Sequence, residues 1–358
     1  MHMSDALLSP AVGGIFWAGT LGAIAYSSGK IKKNLDEKTI PLMGVMGAFI
    51  FAAQMINFTI PGTGSSGHLG GGMILSIMLG PYAAFIVMAS VLTVQAFFFG
   101  DGGLLALGCN IWNLGFYPCF IAYPFIYKPL VRDGMAQTRI MATSLISAIV
   151  ALQLGAFSVV IETLFSGRSE LPFNTFIALI QPIHFAIGIV EGIVTAGVIG
   201  FVNAAKPEVL ESVLAAKPVP VAVKVKRITL FFLIAAVITG GAISWFASSN
   251  PDGLEWSIGK VYGKPDLPEK ESIIATTLKN IQKRTAFLPD YGFRKKEAPE
   301  EEKTTEGKEN AVAVVEAGTS VSGILGAAMV IAFIVLIGFG IRIIRSKCAA
   351  GKSMAGQG

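Results

Sequence analysis

The sequence predicts an all-α, polytopic helical membrane protein. Three observations carry that prediction: 53% of the 358 residues are apolar and only 14% are charged, the mean hydropathy is +0.64, and apolar runs of about 20 residues, the length that crosses a bilayer core as a helix, recur along the chain. The opening Met1-His2-Met3-Ser4-Asp5 carries no basic stretch and no small-residue cleavage site, so it does not read as a removable signal peptide. Cys109, Cys119 and Cys348 lie at spacings that suit neither a disulfide framework nor a cysteine zinc site, and are expected to pack as small apolar residues.

Taken in order, the apolar runs fall near residues 11–28, 40–60, 69–79, 81–99, 103–127, 139–163, 174–203, 228–248 and 320–343. Gly80-Pro81 separates the third from the fourth, because a proline ring disfavours helical geometry in the residue before it. Two crossings there put Lys30, Lys32 and Lys33, then Lys128, Arg132 and Arg139, then Lys206 through Arg227, then Arg342, Arg345 and Lys347 on one side. The positive-inside rule makes that side the cytoplasm and leaves Met1, His2, the 61–68 loop and the 249–319 loop outside. Apart from that last loop, only Arg168 breaks the bias. The third run is short for a full crossing, which predicts a tilted or partly re-entrant segment whose irregular backbone is shielded by protein.

The stretch Ala215-Ala216-Lys217-Pro218-Val219-Pro220 divides seven closely spaced runs from two widely spaced ones. Residues 1–214 are expected to form a seven-helix bundle, 215–227 a cytoplasmic linker, 228–345 a two-helix membrane hairpin around the external loop 249–319, and 346–358 a cytoplasmic tail. The tract Arg294 to Glu309 mixes charges and has few apolar residues, so burial cannot offset the cost of ordering it. No internal repeat points to an inverted-repeat secondary transporter.

The position of His2 suggests chemistry. A terminal amine, the next backbone nitrogen and the His2 Nδ1 can close a five-membered and a six-membered chelate ring around one ion, filling three corners of a square. That planar array suits Ni(II) and Cu(II), whereas Zn(II) has no electronic reason to accept it. The fourth corner needs a neutral donor from outside. His68 is the candidate, between Pro61-Gly62-Thr63-Gly64-Ser65-Ser66-Gly67 and Leu69-Gly70-Gly71-Gly72, where missing Cβ atoms let backbones pass closely. Its bland alternative is a polar histidine in a turn.

His184 and Glu191 share a face of the seventh run and Glu162 lies near the end of the sixth; ionisable groups at such depth are functional candidates. They read first as packing contacts, with Gln181 or Asn113 as partners, or as support for the metal's ligands. The alternative is an ion-coupled secondary metal transporter or channel whose path is His184, Glu191 and Glu162. Asn110 and Asn113 share a face of the fifth run and can hydrogen-bond irregular loops. Gly44, Ala48 and Ala52 place a small residue at every fourth position, which permits close approach by another helix of this chain or of a partner. Gly351-Lys352-Ser353 resembles the end of a Walker A motif, but Ser346 stands at its first glycine position and no strand precedes it. ATP, if used, is hydrolysed by another chain. No nucleophile and base stand at a spacing that supports an enzyme.

Residues Met1 to Pro10, the loop Gly67-His68-Leu69-Gly70-Gly71-Gly72, the tract Gly100-Asp101-Gly102-Gly103-Leu104-Leu105-Ala106-Leu107-Gly108 and His184 to Val198 resemble the CbiM/NikM substrate-binding (S) components of energy-coupling-factor (ECF) transporters. The resemblance covers about residues 1–205. Asn250 to Trp256 resembles the auxiliary PDGLE, or NikN-like, component, here fused to the first part. The resemblance implies capture of Ni2+ or Co2+ outside by the terminal amine, the residue-two nitrogens and a loop histidine, which fall on Met1, His2 and His68. It implies an ATP-driven ABC-type importer in a prokaryotic plasma (inner) membrane, with the N-terminus outside and the C-terminus cytoplasmic. Its implied partners are a membrane coupling (T) subunit and two cytoplasmic ATPase subunits, with no resident cofactor and no nucleic acid. Nickel is slightly favoured, by the planar geometry and by the fused second part.

Overall fold

The computed structural model describes residues 2–34, 39–131, 135–167, 172–217, 226–263, 272–293 and 317–355; Met1, Arg168, most of the joint and the charged tract from Arg294 lie outside the described residues. The first part is built from the helices Pro10–Asn34, Thr39–Gln54, Gly72–Leu79, Pro81–Phe99, a helix running from Leu107 to Val131, Gln137–Ser166 and Phe173–Ala205. The hairpin consists of Lys226–Gly241 and Ala317–Ala355. Among the described residues four helices are both long and apolar enough to cross a bilayer: Pro81–Phe99, Gln137–Ser166, Phe173–Ala205 and Gly318–Ile344.

The expected run over 40–60 is helical only to Gln54. Pro61 disfavours helical geometry at Ile60, and Phe58–Ile60 instead pairs antiparallel with Ser65–Gly67, Phe58 opposite Gly67. The connecting turn uses Gly62 and Gly64 at φ +78°. This hairpin is the one departure from an all-helical bundle among the described residues.

Gly72–Leu79 has eight residues, about 12 Å at 1.5 Å per residue, so it spans only part of the bundle. Its leading end meets Glu191 through Gly70 and Gly71, while Gly80 lines a cavity with Lys30 and Lys128 at the basic end. Non-helical residues before Gly72 supply the missing length within the protein, where irregular backbone at membrane depth is tolerated. Gly72 makes this possible, because a Cβ there would strike Pro118 and the Leu114 carbonyl. Pro118 and Pro124 interrupt Trp112–Tyr127, whose turns are wider than those of an α-helix. Gly72→Ala is therefore expected to cost about 1–3 kcal/mol through overpacking, read as a lower Tm in detergent.

The small-residue stripe of the second helix faces the chain's own hairpin. Gly44 lies against Ile331, and Ala48 packs with Ala236 and Ala327. Gly240 and Gly323 let the two hairpin helices meet backbone to backbone. Cys109 and Cys119 are buried, as expected.

Candidate metal centre

The N-terminal segment is inserted in the bundle. Met3, Leu7 and Leu8 are almost wholly buried, and apolar burial of three such side chains is a strong anchor. Asn110 grips Met3 on both sides of its backbone: Oδ1 accepts from the Met3 N–H at 2.8 Å, and Nδ2 donates to the Met3 carbonyl at 3.3 Å. The Gly103 N–H donates to the same carbonyl at 2.9 Å, and Asp5 accepts from the Ala106 N–H at 3.0 Å. Behind them, Asn113 Nδ2 donates to Glu162 at 2.9 Å and approaches the Met3 sulfur at 3.8 Å, while Ser158 donates to Glu162 at 2.9 Å. Gly103 lies so close to Asp5 that any Cβ would collide with its carboxylate and backbone nitrogen. Gly103→Ala is thus expected to unseat residues 2–5 while the helices remain, which circular dichroism beside limited proteolysis of the N-terminal segment would show.

This seating brings His2 to His68, with ring centroids 5.0 Å apart and the planes at 32°. His68 Nδ1–H donates to the Leu69 carbonyl at 3.0 Å, which leaves Nε2 as its lone-pair nitrogen. His2 Nε2 faces Gln95 Oε1 at 3.2 Å. Its Nδ1 stands 3.6 Å from Asp101, too far for a hydrogen bond but well within electrostatic reach. Burial holds the His2 pKa below its ordinary value despite the opposing pull of Asp101, and pushes His68 down to about 3. Both rings are neutral at neutral pH, the state in which imidazole binds a metal.

Glu191 is buried and accepts from the Gly70 and Gly71 N–H groups at 2.7 and 3.1 Å, so it holds the loop that follows His68. His184 donates from Nδ1 to the Ile180 carbonyl at 2.8 Å and lines a small cavity with His68, Asp252 and Gly253. That is nearer to His68 than its place within a long helix suggests. Asn113 partners Glu162, whereas Gln181 exchanges hydrogen bonds with the backbone and side chain of Gln153. Gln54 and Gln95, both buried, go unmarked in the sequence reading. Their signal was available as carboxamides within apolar runs, which need partners there.

The segment between the two hairpin helices covers this centre. Ser66 donates from its N–H to the Pro251 carbonyl at 2.8 Å and from Oγ to the Asn250 carbonyl at 2.8 Å, adding residues 250–252 to the edge of the small hairpin. Asp252 caps the helix Gly253–Tyr262 by accepting from the Leu254 and Glu255 N–H groups at 2.8 Å each, and Glu255 answers the Asp252 N–H, a reciprocal capping box. Further along, Gln282 donates to the Ala96 and Gly102 carbonyls, and the Tyr291 hydroxyl donates to Asp101. Over His2 they enclose a cavity of about 250 Å³ lined by Asp5, Asp101, Asp252, Glu255 and Asp290 together with Lys279.

Among the described residues no group of three or more His, Cys, Asp or Glu side chains converges on a metal position. Two neutral imidazoles face each other beside the start of the chain, a donor set of nitrogens that suits Ni(II) and Co(II) better than hard cations.

Residues 2–209 match the family described as "Cobalt uptake substrate-specific transmembrane region", and residues 226–343 match the PDGLE domain. A fused nickel transport protein NikMN assigned in Archaeoglobus fulgidus is 34% identical over 67% of this chain and 79% of its own length. The fused nickel transport protein NikMN of Rhodobacter capsulatus is 31% identical over 59% of this chain and 64% of its own. The cobalt transport protein CbiM of Geobacter sulfurreducens is 26% identical over 67% and 72%. A crystal structure of a transition metal transporter superposes with a TM-score of 0.52 at 29% identity, over 58% of this chain and 95% of that one.

Proposed function

The chain belongs to the CbiM family, joined here to a PDGLE domain, and from that premise we propose that it captures Ni2+ or Co2+ at the external membrane face for ATP-driven uptake. The observation that carries this reading is the inserted N-terminus, which sets the His2 ring 5.0 Å from that of His68. The Met1 amine, the His2 backbone nitrogen, His2 Nδ1 and His68 Nε2 would be the four nitrogen donors, a set that suits a square-planar ion. Deprotonating one backbone amide leaves the bound dication with a single net positive charge, and Asp101 beside Nδ1 balances it. The carboxylates around the covering cavity concentrate dications at its mouth. Planar nitrogen ligation tips the preference to nickel.

Release is inward, through the side that carries Lys30, Lys128 and Arg139. It is driven by a membrane coupling subunit and two cytoplasmic ATPases, since this chain holds no Walker motif. Metal analysis after competitive loading with equal Ni2+ and Co2+ tests the preference. Uptake by membranes that lack the ATPase chains would overturn the energy-coupled reading.

Binding should release protons. Below the amine's pKa of roughly 8, both the amine and the amide give up a proton on binding, so log K is expected to rise by about two for each unit increase in pH. Above that pKa only the amide proton is released, and the slope is expected to halve. His68, at about 3, contributes nothing in this window. Competition titrations between pH 6 and 9 read the slope directly; a flat profile would remove the amine and amide from the ligand set.

A further inference from the structure

We propose that Gln54 and Gln95 are positioning residues that fix the tautomer of His2 and so decide which of its ring nitrogens faces the metal. The inference rests on the reading above only in taking His2 as a ligand. It starts from the Gly70 carbonyl, which can only accept. Gln54 Nε2 donates to it at 2.8 Å, so the Gln54 oxygen points the other way. That oxygen also can only accept, and Gln95 Nε2 donates to it at 2.8 Å. Gln95 therefore presents Oε1 at its far end, 3.2 Å from His2 Nε2. The proton must sit on Nε2, and Nδ1 keeps its lone pair.

A carboxamide has one donor end and one acceptor end, so fixing either fixes both. Gln54 is 5% and Gln95 0% exposed, and the His2 side chain is 7% exposed, so little water competes for these groups. A side contact demands the same polarity: the Met88 sulfur, a weak acceptor, lies 3.9 Å from Gln54 Nε2.

The choice of nitrogen matters because only Nδ1 can close a six-membered ring with the backbone nitrogen of its own residue; Nε2 points away from it. His68 is set the opposite way, directly, by the Leu69 carbonyl. Two successive carbonyls of one loop thus set both rings. Leu69 leaves Nε2 open on His68, and Gly70, through two glutamines, leaves Nδ1 open on His2.

The test is nitrogen NMR of the metal-free, full-length chain labelled with 15N-histidine, with its three histidines assigned by single substitutions. His2 is expected to carry its proton on Nε2. Gln95→Met keeps bulk but removes the acceptor; it should mix the His2 tautomers and weaken Ni2+ binding by about 10- to 100-fold, the usual cost of losing a ligand's outer partner. Gln95→Glu retains an acceptor and should restore the Nε2–H form, which separates this role from loss of fold. Gln54→Met should match Gln95→Met, with the double variant no worse than either. A wild-type His2 protonated on Nδ1, or a Gln95→Met chain with an unchanged tautomer, would overturn the proposal. Ni2+ affinity that survives His2→Ala would sink the binding reading instead, and leaves the tautomer measurement standing because that needs no metal.

Discussion

His2→Ala is expected to weaken Ni2+ and Co2+ binding by well over about 100-fold, beyond what removal of a ligand's outer partner costs, and to abolish uptake with little change in Tm. The stability should survive because the segment is not held by the imidazole. Met3 keeps its two bonds to Asn110 and its bond from Gly103, and Leu7 and Leu8 keep their burial. What is lost is one ring nitrogen, and with it the six-membered chelate. His68→Ala should fail comparably, since it removes the imidazole whose ring faces that of His2. One or two residues placed ahead of Met1 should fail for a different reason, because they turn the amine into a peptide nitrogen and crowd the entry, whereas a C-terminal tag should be silent. Competition titrations beside thermal melts decide this. Affinity within tenfold of wild type in His2→Ala would remove the ring from the ligand set.

Much of the bundle was legible because the bilayer imposes length and polarity on a crossing, and four of the described helices meet both. The Gly80-Pro81 break and the short third run follow from backbone rules local to those residues. The end of the second helix at Gln54 was not legible in the same way. Apolar residues continue to Ile60, so hydropathy runs on where Pro61 and pairing with Ser65–Gly67 have already turned the chain extended. The site divides similarly. His2, His68 and Asn110 were visible as unusual residues at unusual places. The glutamine relay depends on residues 41 apart, and the cover over His2 depends on Gln282 and Tyr291 reaching residues more than 180 positions earlier. Pairings of that range leave no periodic trace in a sequence.

Glu191 supplies the sharpest contrast between a carboxylate that moves ions and one that holds a loop. It accepts from two buried N–H groups of the segment that carries His68, and the other face of the same segment is held by Gln54 through the Gly70 carbonyl. Glu191→Leu leaves both N–H groups without an acceptor at a cost of about 1–3 kcal/mol each. Stability and metal affinity should therefore fall together. Glu191→Gln keeps one oxygen but turns an NH2 toward the second N–H, so it should lie between, with Tm modestly lowered and affinity down by about 10- to 100-fold. Gly70→Ala should reproduce part of the effect, because its Cβ would come within 2.9 Å of the carboxylate oxygen. A carboxylate on an ion path predicts the opposite pattern: transport lost in Glu191→Gln while binding and Tm stay at wild-type values. The two roles differ in which quantities move together, so measuring affinity, Tm and uptake on the same three variants separates them.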